Sequence, residues 1–272
     1  GVEHHGRVGY LKAGLQFADR VTTVSPAYAR ELTTPEFGYG LEALLRWRGG
    51  AFSGILNGID EDVWNPASDP ALPAPYSAAD PSGKAAARAA LAERFGLKAP
   101  DGPIFIVISR MTSQKGLDLL LDALPPPLSF FYMIGLPLLF TFFPYTTLFR
   151  SHLMLAGGDA SLVPSRFEPC GLTQLIGLRY GTIPVVARTG GLGDTVIDAN
   201  PAARAVGAAT GVVHAPGRGD ALAEAIRRTC ALYADRAAWR ALVAAALRQP
   251  VGWGPSAARY AALYRDLSRE AA

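Results

Sequence analysis

The amino-acid sequence predicts an α/β protein built on a doubly wound parallel sheet. Short apolar runs alternate along the chain with segments in which apolar residues recur every three or four positions, as strands alternating with helices do. The run over residues 104–108 is continuously apolar, which is typical of a strand covered on both faces. With 272 residues, 50% of them hydrophobic, the chain can bury one large core or two smaller ones as a soluble globular protein.

The first part of the chain carries helix and strand patterns in close alternation. Helices are predicted over residues 8–19, 27–32 and 41–47, and a strand over 21–24. Ser25 followed by Pro26 suits an N-cap with proline at the first helical position. Residues 33–40 contain two glycines, a proline and two aromatic residues, and they predict a loop of the kind that borders a cleft.

The next part of the chain leads from a turn to the buried strand. Asn57 and Gly58 interrupt a short apolar run over 55–59, where a second domain could begin. The stretch 66–84 is rich in Pro, Ala, Ser and Asp and predicts a solvated loop. Helices are predicted over 85–95 and 117–124, on either side of the strand over 104–108.

Two cations flank the loop between that strand and the following helix. Arg110 comes directly after the strand, and Lys115 precedes Gly116. Loops at the carboxyl ends of parallel strands are where α/β sheets bind ligands, and cations there suit a phosphorylated ligand. The alternative is that both side chains are solvated loop residues.

The stretch over 165–175 places a carboxylate just before a predicted helix. Glu168 precedes a proline and Gly171, after which apolar residues follow helical spacing. The first N–H groups of a helix have no intrahelical acceptor, so those near residues 171–173 are expected to attract phosphate. An ordinary turn into a helix is the alternative for this pattern. We interpret Cys170 as a small packed residue.

Strands and helices alternate again after this stretch. Strands are predicted over 182–187 and 211–214, and helices over 189–198, 220–234, 235–248 and 256–270. The glycines Gly190, Gly191 and Gly193 lack the spacing of a dinucleotide fingerprint. They predict a tight turn that lets the backbone approach a ligand.

Charge and cysteine content restrict the possible partners. The net charge of +3 comes from 26 basic and 23 acidic residues interspersed along the chain, so nucleic-acid binding is not predicted. Cys170 and Cys230 show no metal-ligand spacing, which predicts free thiols in a reducing, cytoplasmic compartment. His4 and His5 are expected on the surface rather than as metal ligands. Residue 1 is not Met and no signal-peptide pattern follows, which predicts the interior of a longer reading frame.

Residues 125–151 differ in composition from the rest of the chain. No charged side chain lies between Asp122 and Arg150, and six of the 12 Phe fall in this segment. The apolar run over 128–143 contains a proline and is shorter than the ~20 residues of a membrane-spanning helix, so a span is not predicted. The run over 143–151 resembles the in-frame translation of a sequencing adapter, and we interpret 125–151 as a foreign insert.

Taken together, the motifs resemble those of bacterial glycogen synthases and the related plant starch synthases. The matching motifs are those at 11–14, 24–26, 34–40, 56–60, 63–64, 109–110, 114–118, 165–175 and 188–192. The resemblance covers about 1–124 and 152–270 and corresponds to the carboxyl-terminal part of these enzymes.

This resemblance implies a retaining glucosyltransferase that moves glucose from ADP-glucose to the non-reducing end of an α-1,4-glucan. It implies the GT-B architecture, two Rossmann-like domains facing a cleft, with ADP-glucose as donor substrate and no metal or other cofactor. Residues 1–53 would be the remnant of the acceptor-side domain and 54–255 the nucleotide-sugar-binding domain. Residues 256–272 would form a helix that crosses back to the first domain.

The resemblance also implies roles for single residues. Arg110 and Lys115 would bind the donor diphosphate, whose charge builds as the glycosidic bond breaks. Glu168 would orient the donor glucose and stabilise charge, with a nucleophilic role as the alternative. The implied substrate-binding residues are Asn57, Cys170, Gly171, Leu172, Thr173, Gly190 and Gly191.

Two departures from the family predict an incomplete enzyme. Most of the acceptor-side domain has no counterpart, and residues 125–151 replace the stretch that holds adenine in the family. We therefore expect this chain to be inactive and poorly soluble. One alternative is a sucrose- or trehalose-forming transferase of the same architecture, which the motifs at 34–40 and at Gln174 disfavour. Others are a non-catalytic glucan-binding or regulatory fragment and, for the Phe-rich segment, a membrane-anchored protein.

Overall fold

The structure, a computed structural model, describes residues 2–4, 6–97, 102–123, 134–135 and 144–270, with the backbone alone for 134–135 and 144–150. In chain order, its strands are β1 (Glu3–His4), β2 (Arg7–Val8), β3 (Val21–Thr23), β4 (Phe52–Gly54), β5 (Phe105–Ile106), β6 (Ile108–Ser109), β7 (Ile134–Gly135), β8 (Ala160–Val163), β9 (Ile183–Ala187) and β10 (Val212–His214). Its helices are α1 (Tyr10–Phe17), α2 (Pro26–Leu32), α3 (Glu42–Arg48), α4 (Gly83–Arg94), α5 (Leu117–Ala123), α6 (Pro144–Gly157), α7 (Thr173–Arg179), α8 (Gly190–Thr195), α9 (Pro201–Ala205), α10 (Gly219–Ala234), α11 (Arg236–Leu247) and α12 (Gly254–Glu270).

Four parallel strands in the spatial order β10, β9, β8, β5 form the main sheet. All five residues of β9 are buried. Helices α7, α10 and α11 contact this strand, and their apolar side chains remove it from water. A continuously apolar sequence is what a strand covered by helices requires. The predicted parallel α/β sheet is confirmed.

Helix α7 shows how the predicted periodicity becomes buried surface. Leu175 and Leu178 are 4% and 1% exposed, and the helix packs against β8 and β9. Burial of one such leucine side chain contributes about 2 kcal/mol. The helix ends at Arg179, and Gly181 follows with a φ of +63°, a left-handed conformation that glycine adopts without strain.

Among the differences between the predicted and the observed secondary structure, two concern strands close to the main sheet. The predicted strand over 104–108 is divided at Val107, because β5 pairs with β8 whereas β6 pairs with β7. The sequence pattern also fails to predict β8. This strand has only one β-branched residue, Val163, and it follows two glycines and an aspartate, which are typical of a turn.

The residues before 55 are organised around two short parallel strands. β3 pairs with β4, with Val21 opposite Phe52. Helix α2 begins as predicted: Pro26 is its first residue, and the Ser25 hydroxyl accepts a hydrogen bond of 3.0 Å from the N–H of Tyr28. No residue of α1 is buried. The domain boundaries at 53 and 255 remain predictions.

Helix α12 contacts two separate places in the first 60 residues of the chain. At its start, the hydroxyl of Ser256 donates to the carbonyl of Leu56. At its end, Glu270 forms an ion pair with Arg20. The last helix therefore contacts residues on both sides of the predicted boundary at 53.

Only part of the predicted insert at 125–151 is described. Its described residues are β7, which pairs in parallel with β6, and 144–151, the beginning of α6. Helix α6 continues to Gly157 beyond the predicted end of the insert. The rest of the segment lies outside the described residues. Within the described part of the chain, no helix is both long and apolar enough to cross a membrane.

Candidate functional site

Three loops that follow the carboxyl ends of parallel strands form the candidate site. The loop after β6 carries Lys115, the loop after β8 carries Glu168, and the loop after β9 carries Gly190. Parallel strands of an α/β sheet present their carboxyl ends along the same edge, where ligands bind. The topology thus brings together residues that are up to 75 positions apart in the sequence, as Lys115 and Gly190 are.

An ion pair between Lys115 and Glu168 lies at the centre of this site. The Nζ atom of Lys115 donates to Oε2 of Glu168, and the hydroxyl of Ser165 donates to the same oxygen at 3.0 Å. The two charged side chains are only 17% and 9% exposed. Because the pair is largely shielded from water, its electrostatic interaction is stronger than that of a surface pair.

The backbone explains why Lys115 reaches Glu168. Gly116 has a φ of +64°, and a Cβ atom there would lie 2.2 Å from the carbonyl oxygen of Pro164. The N–H of Arg166 donates to the carbonyl of Gln114 at 2.9 Å. The loop after β6 and the loop after β8 are therefore packed backbone against backbone, which only glycine at position 116 permits.

A small cavity of about 50 Å³ lies beside the ion pair. Its lining includes Lys115, Ser165 and Glu168 together with the predicted binding residues Gly171, Leu172 and Thr173. Among the described residues, none accepts a hydrogen bond from the N–H groups of these last three. The cavity therefore combines a cation, a carboxylate and several backbone donors.

Cys170 and Asn57 lie next to each other behind this cavity. The thiol of Cys170 is buried and lies near the backbone N–H of Asn57. Burial raises the pKa of the Cys170 thiol, and the nearby carboxylates of Glu168 and Asp194 raise the pKa further against the effect of the N–H. Cys170 is thus a packed thiol, as interpreted from the sequence, and its raised pKa favours the protonated form.

The glycines Gly190 and Gly191 lie against the loop after β8 and not in the cavity lining. A Cβ atom on Gly190 would lie 2.0 Å from the carbonyl oxygen of Glu168, and one on Gly191 would lie 2.1 Å from that of Cys170. Their N–H groups donate to Glu31 at 2.7 Å and to the Glu168 carbonyl at 3.0 Å. The lack of a side chain at these two glycines thus lets two loops approach each other, and the approach of a ligand to their backbone stays a prediction.

Arg110 occupies a different position from Lys115. It follows β6 directly, its residue is exposed, and it does not line the cavity. Its guanidinium forms no ion pair with any residue that the structure describes. The sequence therefore placed both cations in the correct loop, but only Lys115 contacts Glu168.

Sequence reasoning missed two carboxylates that join the first part of the chain to the site. Glu31, on α2, accepts hydrogen bonds from the hydroxyl of Thr189 at 3.0 Å and from the N–H of Gly190 at 2.7 Å. Asp194, on α8, accepts one from the N–H of Ala27 at 2.7 Å. Each carboxylate satisfies backbone donors at the start of the other helix. No local signal marks them, because a charged residue on a helix usually faces solvent.

Among the described residues, no group of three or more His, Cys, Asp or Glu side chains is arranged to hold a metal ion. The charged groups of the site are instead Lys115, Glu168 and, in the same loop as Lys115, Arg110. These groups and the backbone donors suit an anionic ligand that also carries hydroxyl groups.

Sequence comparison identifies relatives along nearly the whole chain. A family model described as the catalytic domain of starch synthase matches residues 1–47. A glycogen synthase from Roseobacter denitrificans is 54% identical over 289 aligned residues, covering 98% of this chain and 60% of the relative. A glycogen synthase from Jannaschia sp. is 50% identical over 287 residues, with 98% and 60% covered. The chain thus spans about three fifths of the length of the curated relatives that it matches.

Structural comparison gives the same relationship. The catalytic domain of starch synthase IV from Arabidopsis thaliana, bound to ADP and acarbose, superimposes with a TM-score of 0.83 at 33% sequence identity, covering 97% of this chain and 59% of that one. Sucrose-phosphate synthase from Thermosynechococcus elongatus has a TM-score of 0.61 at 22% identity, with 96% and 61% covered, and shares the fold alone. Over the residues that it contains, the chain belongs to the family of glycogen and starch synthases, glycosyltransferases with the GT-B fold.

Proposed function

We propose that this chain is the donor-side part of a retaining glucosyltransferase that moves glucose from ADP-glucose to the non-reducing end of an α-1,4-glucan. The observation that carries the proposal is the shielded Lys115–Glu168 pair beside the N–H groups of residues 171–173. The names of the relatives, glycogen synthase and starch synthase, and the ADP and acarbose in the Arabidopsis structure support this choice of donor and acceptor.

The cations of the site suit the diphosphate of the donor. Charge builds on the departing phosphate as the glycosidic bond breaks, and preorganised cations stabilise it. Lys115 and Arg110 take this role, and the N–H groups of Gly171, Leu172 and Thr173 bind phosphate and sugar oxygens. The arrival of the diphosphate gives Lys115 a second anion to neutralise in addition to Glu168.

Glu168 orients the donor glucose and stabilises positive charge at its anomeric carbon. Its Oε2 atom is held by Lys115 and Ser165, which leaves the other carboxylate oxygen to face the sugar. A direct nucleophilic attack by this oxygen is the second candidate for its role. Asn57, Cys170, Gly190 and Gly191 complete the proposed set of substrate-binding residues.

Binding of ADP by the purified chain tests the donor site. We expect isothermal titration calorimetry to detect ADP binding, and Lys115→Met to weaken it by about tenfold or more because a charge-assisted hydrogen bond is lost. Lys12→Met, on helix α1, removes a lysine far from the site and should leave the affinity unchanged. Absence of ADP binding, or equal affinity of the wild type and Lys115→Met, would contradict the proposal. Titration of UDP in parallel tests the choice of nucleotide.

Glucose transfer tests the rest of the proposal. Because the chain spans about three fifths of its relatives, we expect it to bind ADP without transferring radiolabelled glucose from ADP-glucose to glycogen. Transfer by this chain alone would overturn that expectation. Co-sedimentation with glycogen in the absence of ADP binding would instead favour a non-catalytic glucan-binding fragment.

A further inference from the structure

Gln174, the second residue of α7, is a fully buried polar side chain next to the proposed donor site. Its exposure is 0%, and it lines the same cavity as Lys115 and Glu168. Its Nε2 atom donates to the carbonyl oxygens of Cys170 at 3.0 Å and Gly171 at 2.9 Å. A buried amide is costly unless its hydrogen bonds are made, so these contacts account for part of its burial.

The surroundings fix which way the amide of Gln174 points. Carbonyl oxygens only accept hydrogen bonds, so the amide nitrogen must face Cys170 and Gly171. Its third neighbour, the hydroxyl of Thr195 at 3.2 Å, donates its own proton to the carbonyl of Gly191 and so also presents an oxygen lone pair to Nε2, whose two hydrogens are shared among the three acceptors. The Oε1 atom, on the other side, is buried and has no partner among the described residues.

The orientation of Gln174 determines where two backbone N–H groups point. In a planar trans peptide, the carbonyl of one residue and the N–H of the next point in opposite directions. The carbonyls of Cys170 and Gly171 point toward Gln174, so the N–H groups of Gly171 and Leu172 point away from it. Both N–H groups belong to cavity-lining residues and have no acceptor among the described residues.

Gln174 also explains why position 171 is glycine. Gly171 has a φ of +72°, and a Cβ atom there would lie 2.4 Å from Oε1 of Gln174. Both the backbone conformation and the lack of space therefore exclude a side chain. The same amide also connects the loop after β8 to helix α8. Gln174 contacts the hydroxyl of Thr195, this hydroxyl donates to the carbonyl of Gly191, and the N–H of Gly191 donates to the carbonyl of Glu168.

We propose that Gln174 is a positioning residue that aims the N–H groups of Gly171 and Leu172 at the diphosphate of the nucleotide-sugar donor. This inference rests on the donor site proposed above and adds a residue to it. Gln174 does not touch the donor itself. It acts by holding the two preceding carbonyls inward, so that the donors on the same peptides are ready before the ligand arrives.

The variant Gln174→Met tests this role, because methionine has nearly the same length and no amide donor. We expect its affinity for ADP to fall about tenfold, since two N–H donors to a charged group lose their fixed orientation. Thr195→Val leaves Gln174 in place and removes only the connection to α8, so it should weaken ADP binding less. Gln249→Met is the matched control, because Gln249 donates to the carbonyl of Ala245 at the end of α11 and should not affect ADP.

A second measurement does not depend on any variant folding correctly. In ¹⁵N-labelled wild-type chain, addition of ADP should shift the amide resonances of Gly171 and Leu172 more than that of Gly217, whose loop lies at the start of α10. Unshifted resonances for both residues, or a folded Gln174→Met variant with wild-type affinity, would overturn the positioning role. If the wild-type chain does not bind ADP, the proposed donor site fails and the inference about Gln174 fails with it. If the wild-type chain binds ADP but either of these two results is found, only the positioning role of Gln174 fails.

Discussion

Two parts of the chain, the residues before 55 and those around the four-stranded sheet, have helices with similar apolar spacing. The apolar side chains of these helices are buried to very different extents. Helix α1 has regular apolar spacing, yet Tyr10 and Leu11 are 88% and 71% exposed. Helix α7 has comparable spacing, and its Leu178 is 1% exposed. The comparison teaches that an amphipathic pattern supplies an apolar face, whereas burial requires a second surface of matching size.

The sheets explain the difference. In the first part of the chain, β3 and β4 have three residues each and form a two-stranded sheet. A sheet of that size offers little surface for helices to cover. The main sheet has four strands, and helices α7, α10 and α11 contact its strand β9. The helices of the second part of the chain therefore bury more of their apolar side chains.

The largest expected change in the free energy of unfolding comes from a pair of variants in which one leucine in each part of the chain is replaced by alanine. Leu178→Ala should lower the free energy of unfolding by about 3 kcal/mol, because it removes a buried side chain and leaves a cavity. The matched variant Leu11→Ala should change it by less than about 0.5 kcal/mol, since that side chain is already in water. Urea unfolding followed by circular dichroism measures both values. Similar losses of unfolding free energy in the two variants would show that α1 is buried in solution and that the two parts of the chain do not differ in helix packing.

The partly buried Lys84 gives the next largest expected loss of stability. Lys84 Nζ donates to the carbonyls of Ala156, Gly158 and Tyr180 at 2.8 to 3.1 Å and contacts the hydroxyl of Thr182 at 3.0 Å. Lys84→Met leaves these buried acceptors without their donor and should cost about 2 kcal/mol. Lys12→Met, in the weakly packed first part of the chain, is the control and should cost far less.

Because of the same lysine, we expect the free energy of unfolding to depend on pH. Burial lowers the pKa of Lys84 to about 7, against the opposing effect of Asp159. The pKa of a lysine in the unfolded chain is about 10.4. At pH values between these two pKa values, the unfolded state binds more protons than the folded state, so the free energy of unfolding rises with pH. The difference in free energy of unfolding between the wild type and Lys84→Met should therefore grow from pH 7 to pH 9. A difference that stays constant would show that Lys84 remains charged throughout.

The smallest effect concerns the contact between the two parts of the chain. Asp194→Ala and Glu31→Ala each remove a carboxylate that satisfies N–H groups at the start of the other helix, and each should cost about 1 kcal/mol. Both variants should also speed limited proteolysis within residues 26–54, because each removes a hydrogen-bonded contact between α2 and α8. Asp220→Ala, an exposed carboxylate paired with Arg218 on α10, is the control. Unchanged cleavage rates would mean that other contacts hold the two parts together.

Much of the candidate site was predictable from sequence because its residues occur in short motifs. Glu168, Gly171 and the residues that follow are neighbours in the chain, and the turn into α7 is visible from residue types alone. The pairing of Lys115 with Glu168 was less accessible, since these residues are 53 positions apart. The contact of Glu31 with Gly190, at a separation of 159 positions, had no sequence signal at all.

The sequence by itself determined that strands alternate with helices, the family to which the chain belongs, and the loops in which the cations and the carboxylate lie. These features depend on periodicity and on residues adjacent in the chain. Only the tertiary structure decided that Lys115 neutralises Glu168, that the N–H groups of Gly190 and Gly191 are already used, and that Gln174 holds the turn before α7. Such contacts join distant residues, and they form only where the packed sheet brings the loops at its carboxyl edge within hydrogen-bonding distance.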